Sequence, residues 1–192
     1  MPRPKGFDPD RALDSAMEAF WSKGYAATSA QDLCDSTGLG RGSLYNTFAG
    51  KHQLFAKVLR RYEDEWTARQ VGVLEGGGPV RDRIRTVLMT VVDEESAGSS
   101  GRRGCLAVNA AIELAGHDPE VTELVRHIFV RMEDAFCEAL ERARREGEIE
   151  ADRDARELAQ YLLTSMYGLR VLGKTADRRA LSGIVETVLR PL

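Results

Sequence analysis

The short stretch between Gly40 and Gly50 reads Arg-Gly-Ser-Leu-Tyr-Asn-Thr-Phe-Ala. Only Leu44 and Phe48 are large apolar residues at helical spacing, so a helix here buries little and turns its other side chains outward. Those side chains are Arg41, Ser43, Tyr45, Asn46 and Thr47, which donate to phosphate oxygens or read base edges. Gly42 among them lets a partner approach the backbone closely. Upstream, Thr28 and Ser29 stand where a helix would begin, and a hydroxyl with a backbone amide at such a terminus can bind a phosphate. Lys51 opens the next helix and can do the same. The chemistry is nucleic-acid recognition. Arg41 and Ser43 are the candidates for bases, with Asn46 and Thr47 beside them. Tyr45, Lys51 and Thr28 are the candidates for phosphates. Arg3 and Lys5 form a Pro-bounded basic arm, either a minor-groove reader or a free tail.

These groups need a frame, and the flanking sequence supplies it. A short helix from Thr28 or Ser29 to about Thr37, with Leu33 and Cys34 inward, is followed by a tight Ser-Thr-Gly-Leu-Gly turn and then by residues 41–48. This is the layout of a helix-turn-helix, whose second helix enters a DNA major groove. Gly38 would supply the left-handed turn, while Leu39 and Leu44 lock the pair. Asp8-Pro9-Asp10 opens a first helix with an acidic cap and a proline at its first position. Its buried stripe is Ala12, Leu13, Ala16, Met17, Ala19 and Phe20, and Gly24 ends it. A fourth helix covers about 51–73, and Glu-Gly-Gly-Gly-Pro breaks the chain at 75–79.

Further helices are expected at about 80–95, 105–116, 119–146, 154–173 and 177–190, with a polar loop at 96–104. Asp118-Pro119 starts the long one, and Asp152 or Asp154 caps the next. The fold class is therefore all-α with about nine helices. The domain reading is a helix-turn-helix unit at 1–50, a connector at about 51–73, and a helical body at 74–192. In the last two helices apolar residues cover more than one face, so they need two partners. Either one subunit supplies both, or Leu158, Leu162, Met166, Leu169, Leu181, Ile184 and Val188 form a self-complementary homodimer interface.

Bulk properties narrow the classes. The 192 residues carry a net charge of −3, which alone does not suggest a nucleic-acid binder. Yet the first 61 residues hold nine Lys and Arg against six Asp and Glu, a basic end on an acidic chain. No apolar run approaches the roughly 18 residues of a membrane span, and no secretory signal opens the chain, so no membrane partner and a cytoplasmic location are expected. Cys34, Cys105 and Cys137 are odd in number and far apart, against a disulfide framework or a zinc site. His52, His117 and His127 are not spaced as metal ligands, so no metal or other cofactor is expected. An enzyme working through Cys105 lacks a base: His117 lies twelve residues on, about 18 Å along a helix.

Across Phe20, Gly24-Tyr25, Thr28, Asp32-Leu33, Gly38-Leu39, Arg41-Gly42-Ser43-Leu44-Tyr45, Phe48, Lys51 and Leu54, the chain resembles the N-terminal domain of the TetR family of transcriptional regulators. The order and spacing agree without a gap over about 45 residues, while the remainder matches only in plan. Asn46 stands where histidine is frequent in such sequences, and Cys34 where alanine is common. The resemblance implies a homodimeric repressor on a palindromic double-stranded operator. A small-molecule effector in the C-terminal domain would move its DNA-binding heads apart. Trp66, Met89, Asn109, Glu113, Phe129, Met132, Phe136 and Tyr167 are candidate pocket residues, though for most of them a core role is the favoured reading. Asn109 and Glu113, four apart on one helix face, are either a pocket wall or a hydrogen-bonded core detail. Cys105 follows Arg102 and Arg103 at a predicted helix start, where a thiol loses its proton more readily. Some electrophile-responsive TetR-like regulators have a similar Gly-Cys-Leu. Cys105 is either a sensor of oxidants or electrophiles or a small packing residue.

Overall fold

The computed structural model describes residues 7–97 and 103–192. Arg3 and Lys5 of the basic arm, and Arg102 with the rest of 98–102, lie outside the described residues. Among the described residues there are nine helices and no strand. Helix α1 (Pro9–Lys23) begins at Asp8, whose carboxylate accepts from the amide of Asp10 at 3.0 Å. Helix α2 (Ala30–Thr37) is capped by Ser29, which exchanges hydrogen bonds with Asp32 in a capping box. Gly38 ends it with φ of 69°, in the left-handed region that favours glycine. Helix α3 (Arg41–Phe48) follows α2 after three residues, Gly38 to Gly40.

Helix α4 spans 51–75 and is not regular. It is α-helical over Lys51–Tyr62, widens over Glu63–Thr67, and is α-helical again over Ala68–Glu75. In the widened turn the Ala68 amide donates to the Glu63 carbonyl, five residues back instead of four. Then come α5 (Val80–Ser96), α6 (Leu106–Leu114), α7 (Pro119–Glu146), α8 (Ala155–Leu172) and α9 (Arg178–Val188). Asp118, Asp154 and Asp177 cap the last three through their carboxylates. The α6 helix is shorter than its sequence suggests. Cys105 is its cap rather than part of its first turn, and Gly116 (φ 90°) turns the chain into Asp118.

Two cores form. The first joins Ala16, Met17, Phe20 and Trp21 of α1 to Leu33, Leu44 and Phe48, to Leu54, Phe55, Val58, Leu59 and Tyr62 of α4, and to the α6–α7 residues Leu106, Ala110, Val121 and Val125. Phe20 stacks on Tyr25 and meets Phe55 edge-on at 4.9 Å. The second core joins the end of α4 and α5 to the later half of α7 and to α8 and α9. Helices α4 and α7 contribute to both cores, so the N-terminal head sits directly on the body. Polar clasps tie the same seam. His52 meets Asp118 at 2.5 Å, Gln53 donates to Glu120 at 3.1 Å, and the Ala26 amide donates to Glu113 at 3.0 Å.

The apolar faces of α8 and α9 divide differently from the sequence expectation. Leu162, Met166, Leu169, Leu181 and Val188 are buried within this chain's own second core. They already have intrachain partners against α5 and α7 and are not available to a second copy. Leu158 and Ile184 are only partly covered, and the large apolar side chains left outward on α8 are Tyr161, Val171 and Leu172. Helical spacing revealed two apolar faces but not which of them the chain covers itself.

Candidate nucleic-acid interface

Helix α3 is held by two side chains, Leu44 and Phe48, both buried in the first core. Everything else on it is turned away from that core or partly covered. Arg41, Gly42, Ser43 and Asn46 are exposed, and Tyr45 and Thr47 are half-covered. No side chain caps its N-terminus, since the cap position is Gly40. The first amides of α3 therefore keep their hydrogen-bonding capacity and the partial positive charge of a helix start. A Cβ placed on Gly42 or Gly40 would meet nothing within 4 Å, so neither glycine is demanded by packing. They keep the surface low beside Arg41. The Arg41 guanidinium lies 5.8 Å from the Tyr45 ring centroid, which pre-positions both groups.

The flanks fill in the same surface. Ala49 takes φ of 58° and Gly50 φ of 115°, a sharp exit that brings Lys51 back beside the helix pair. The Lys51 ammonium rests 4.4 Å above the Tyr25 ring, its donors free of any acid partner among the described residues. Ser29 is exposed at the start of α2. Its hydroxyl donates to Asp32 at 2.7 Å and accepts from the Asp32 amide at 3.1 Å. Hydrogen bonds from Lys23 and Ser29 hold the Asp32 carboxyl well below the usual carboxylate range.

Thr28 corrects the sequence reading. It is fully buried, and its hydroxyl donates to the Gly24 carbonyl at 2.6 Å. The side chain closes the turn between α1 and α2 and has nothing left for a phosphate.

The other candidate residues scatter. Met132 and Phe136 are buried in the second core and line no large hollow. Met89 packs partly against that core, and Phe129 and Tyr167 meet each other at 4.6 Å. Asn109 and Glu113 do not form one pocket wall. Asn109 donates to the Arg103 carbonyl at 2.8 Å, while Glu113 is exposed and clasps the head through the Ala26 amide. Trp66 alone of the set lines sizeable hollows, of about 210 and 150 Å³. A larger concavity, about 580 Å³ between Leu74 and Arg145 on the outside of α7, contains none of the expected residues.

Cys105 is buried, its sulfur 3.2 Å from the Tyr62 hydroxyl. Arg103, expected to act on the thiol, instead lies 3.8 Å over the Trp21 ring and pairs with Glu18. The cation in the neighbourhood of Cys105 is Arg170, which lines the same small cleft. Sequence reasoning missed Arg170, Glu95 and Trp21. Arg170 and Glu95 are charged residues on long helices, which default to a solvated face.

A helix-turn-helix with an uncapped, donor-rich second helix on a separate helical body is the architecture of a DNA-binding transcriptional regulator. Residues 12–58 match the family of bacterial regulatory proteins, tetR family, and residues 80–187 match the Tetracyclin repressor-like, C-terminal domain. The chain belongs to the TetR family. It is 36% identical, over the full length of both chains, to an uncharacterized HTH-type transcriptional regulator, YezE, of Bacillus subtilis. It is 29% identical to the HTH-type transcriptional repressor ComR of Escherichia coli, over 98% of this chain and 90% of that one. Among solved structures it is similar to a cysteine mutant of the TetR family transcriptional regulator CifR complexed with 26bp double-strand operator DNA. That likeness has 31% identity and a TM-score of 0.88 over 98% of each chain. No described helix is long and apolar enough to cross a membrane.

Proposed function

We propose that the chain is a homodimeric repressor that binds a palindromic operator through α3 and leaves it when a small molecule occupies the body. The observation that carries the reading is the donor-rich, uncapped face of α3, docked by only Leu44 and Phe48. The repressor name of ComR and the operator complex of CifR support it. Residues 1–50 then form the DNA-binding unit, about 51–73 the connector, and 74–192 the effector and dimerisation region. Arg41 and Ser43 read bases, with Asn46 and Thr47 beside them. Tyr45, Lys51 and the exposed α2 start at Ser29 hold phosphates. Tyr161, Val171 and Leu172, flanked by Leu158 and Ile184, are the apolar surface for the second copy.

Operator titrations over a range of salt test the assignment. Arg41→Ala is expected to cost about 1–3 kcal/mol on the operator and to relax preference at one base position. Lys51→Ala should weaken all duplexes alike and reduce the salt slope by about 1. Equal loss of specific and non-specific affinity in Arg41→Ala would remove the base-reading role.

A second reading has its own observation. The Cys105 sulfur is 3.2 Å from the Tyr62 hydroxyl and shares a small cleft with Arg170, so the thiol has a donor beside it and a cation nearby. In that reading release follows attack of the thiol on an electrophile. A Cys105→Ser protein that still leaves its operator on treatment with N-ethylmaleimide would eliminate it.

A further inference from the structure

Between α1, α4, α5 and α8 lies a hollow of about 210 Å³ with an unusual wall. Two tryptophans, Trp21 and Trp66, meet edge to face at 5.1 Å. Opposite them stand Glu94, Glu95 and Arg170. Arg170 is buried and is shared by both acids. Its guanidinium reaches Glu94 at 2.5 Å and Glu95 Oε1 at 3.1 Å. The other oxygen, Glu95 Oε2, is buried and has no hydrogen-bond partner among the described residues. Glu95 is 3% exposed, and its stem packs on Gly173, where a Cβ would lie 2.6 Å away. The carboxylate is therefore out of water in this packing.

A buried carboxylate oxygen without a donor is costly, by roughly 1–3 kcal/mol or more for a charged group. The charges on the wall explain what would relieve it. Glu94 and Glu95 share one guanidinium, which leaves one negative charge in excess. Arg103 at the rim is committed to Glu18 and to the Trp21 ring. Lys174 donates outside the hollow to the Arg103 carbonyl at 3.4 Å. An anion would face two carboxylates, and a purely apolar guest would leave Glu95 Oε2 unsatisfied. A cationic N–H donor on an apolar body fits both halves of the wall, since indoles also favour cations. The volume is below the roughly 300–1,000 Å³ of drug-sized sites, so the guest is small.

We propose that this chamber is the effector site and that it receives a small organic amine, bound as its ammonium ion by the Glu94 and Glu95 carboxylates against Trp21 and Trp66. This rests on the reading of the chain as an effector-released repressor and adds where the effector sits and what it is. The site also touches the parts that must move. Trp21 belongs to α1 of the head, and its indole N–H donates to the Gly104 carbonyl at 2.8 Å. Trp66 lies in the widened turn of the connector and stacks on Tyr62 just before it, at 5.8 Å. A guest that shifts either indole acts directly on the seat of the DNA-binding helices.

The chain has two tryptophans, both on this wall, so intrinsic fluorescence of the full-length protein reports occupancy. Benzylamine is expected to give a saturable change, with benzyl alcohol and benzoate binding at least tenfold more weakly. Glu95→Gln, which keeps an acceptor for Arg170, should weaken benzylamine at least tenfold and leave benzyl alcohol unchanged. In parallel, benzylamine should lower operator affinity of the natural chain but not of the Glu95→Gln protein. Benzyl alcohol binding as tightly as benzylamine would overturn the proposal. So would Glu95→Gln binding benzylamine unchanged, or no probe saturating on the natural chain. The amine-to-alcohol comparison on the natural chain decides even where the variant does not fold. In each overturning case intact operator binding leaves the DNA-binding reading standing, and its loss would indict that reading separately.

Discussion

Leu44→Ala is expected to abolish operator binding while leaving the body folded. Leu44 is fully buried and is one of only two side chains that dock α3. An eight-residue helix is far too short to persist alone in water, so α3 exists because it is packed. Removing a buried leucine costs about 2–5 kcal/mol, partly from the cavity it leaves. Here the cost falls on the docking of one short element, because Phe48 alone must then hold it. At about 1.4 kcal/mol per factor of ten, operator affinity should fall by roughly a hundredfold or more. Circular dichroism should show the loss of little more than one short helix. The contrast with Arg41→Ala is informative, since that change leaves docking intact, costs about 1–3 kcal/mol on the operator and relaxes preference at one base position. If Leu44→Ala binds operator within about threefold of the natural chain, α3 is not held as described.

The second large effect lies in the body. Arg170→Ala is expected to destabilise the fold by about 3–5 kcal/mol, the range for breaking a buried pair and stranding its partner. Burial works against the guanidinium, but Tyr62 and Glu94 outweigh it and hold its pKa above the ordinary value. Truncating it leaves Glu95, also buried, with neither oxygen satisfied. Combining Arg170→Met with Glu95→Gln removes both buried charges and should recover most of the loss, because well-packed neutral replacements of such pairs are often tolerated. Chemical denaturation of the three proteins checks this. A loss below about 1 kcal/mol for Arg170→Ala would mean that water already reaches Glu95.

Most of the frame was legible in the chain because its signals are local. Asp8, Ser29, Asp118 and Asp154 announce helix starts by their own side chains, and Gly38 announces the turn. Thr28 misled for a local reason as well. Hydroxyls at helix starts face either solvent or the preceding turn, and here the Gly24 carbonyl at 2.6 Å takes the Thr28 hydroxyl inward. The pocket and dimer residues were illegible for a different reason. Spacing gives the apolar faces of α8, but which face the chain itself covers depends on α5 and α7, far away in sequence. Glu113 on Ala26 and Arg170 on Glu95 are equally nonlocal. Both are charged residues on helices, where a solvated position is the ordinary expectation.

The widened turn at Glu63–Thr67 fixes the bearing of the reading head. One extra residue in a helical turn offsets everything beyond it by about 100° and 1.5 Å relative to a regular helix. Leu54, Phe55 and Leu59 before the turn face the first core, and Leu74 after it faces the second. An even pitch would turn the Leu74 face by about 100° relative to that of Leu54, Phe55 and Leu59. The connector is thus a gear with one additional tooth. The direction in which Arg41 points, relative to the surface that would meet a second copy, is set by that count as much as by the helix that carries it.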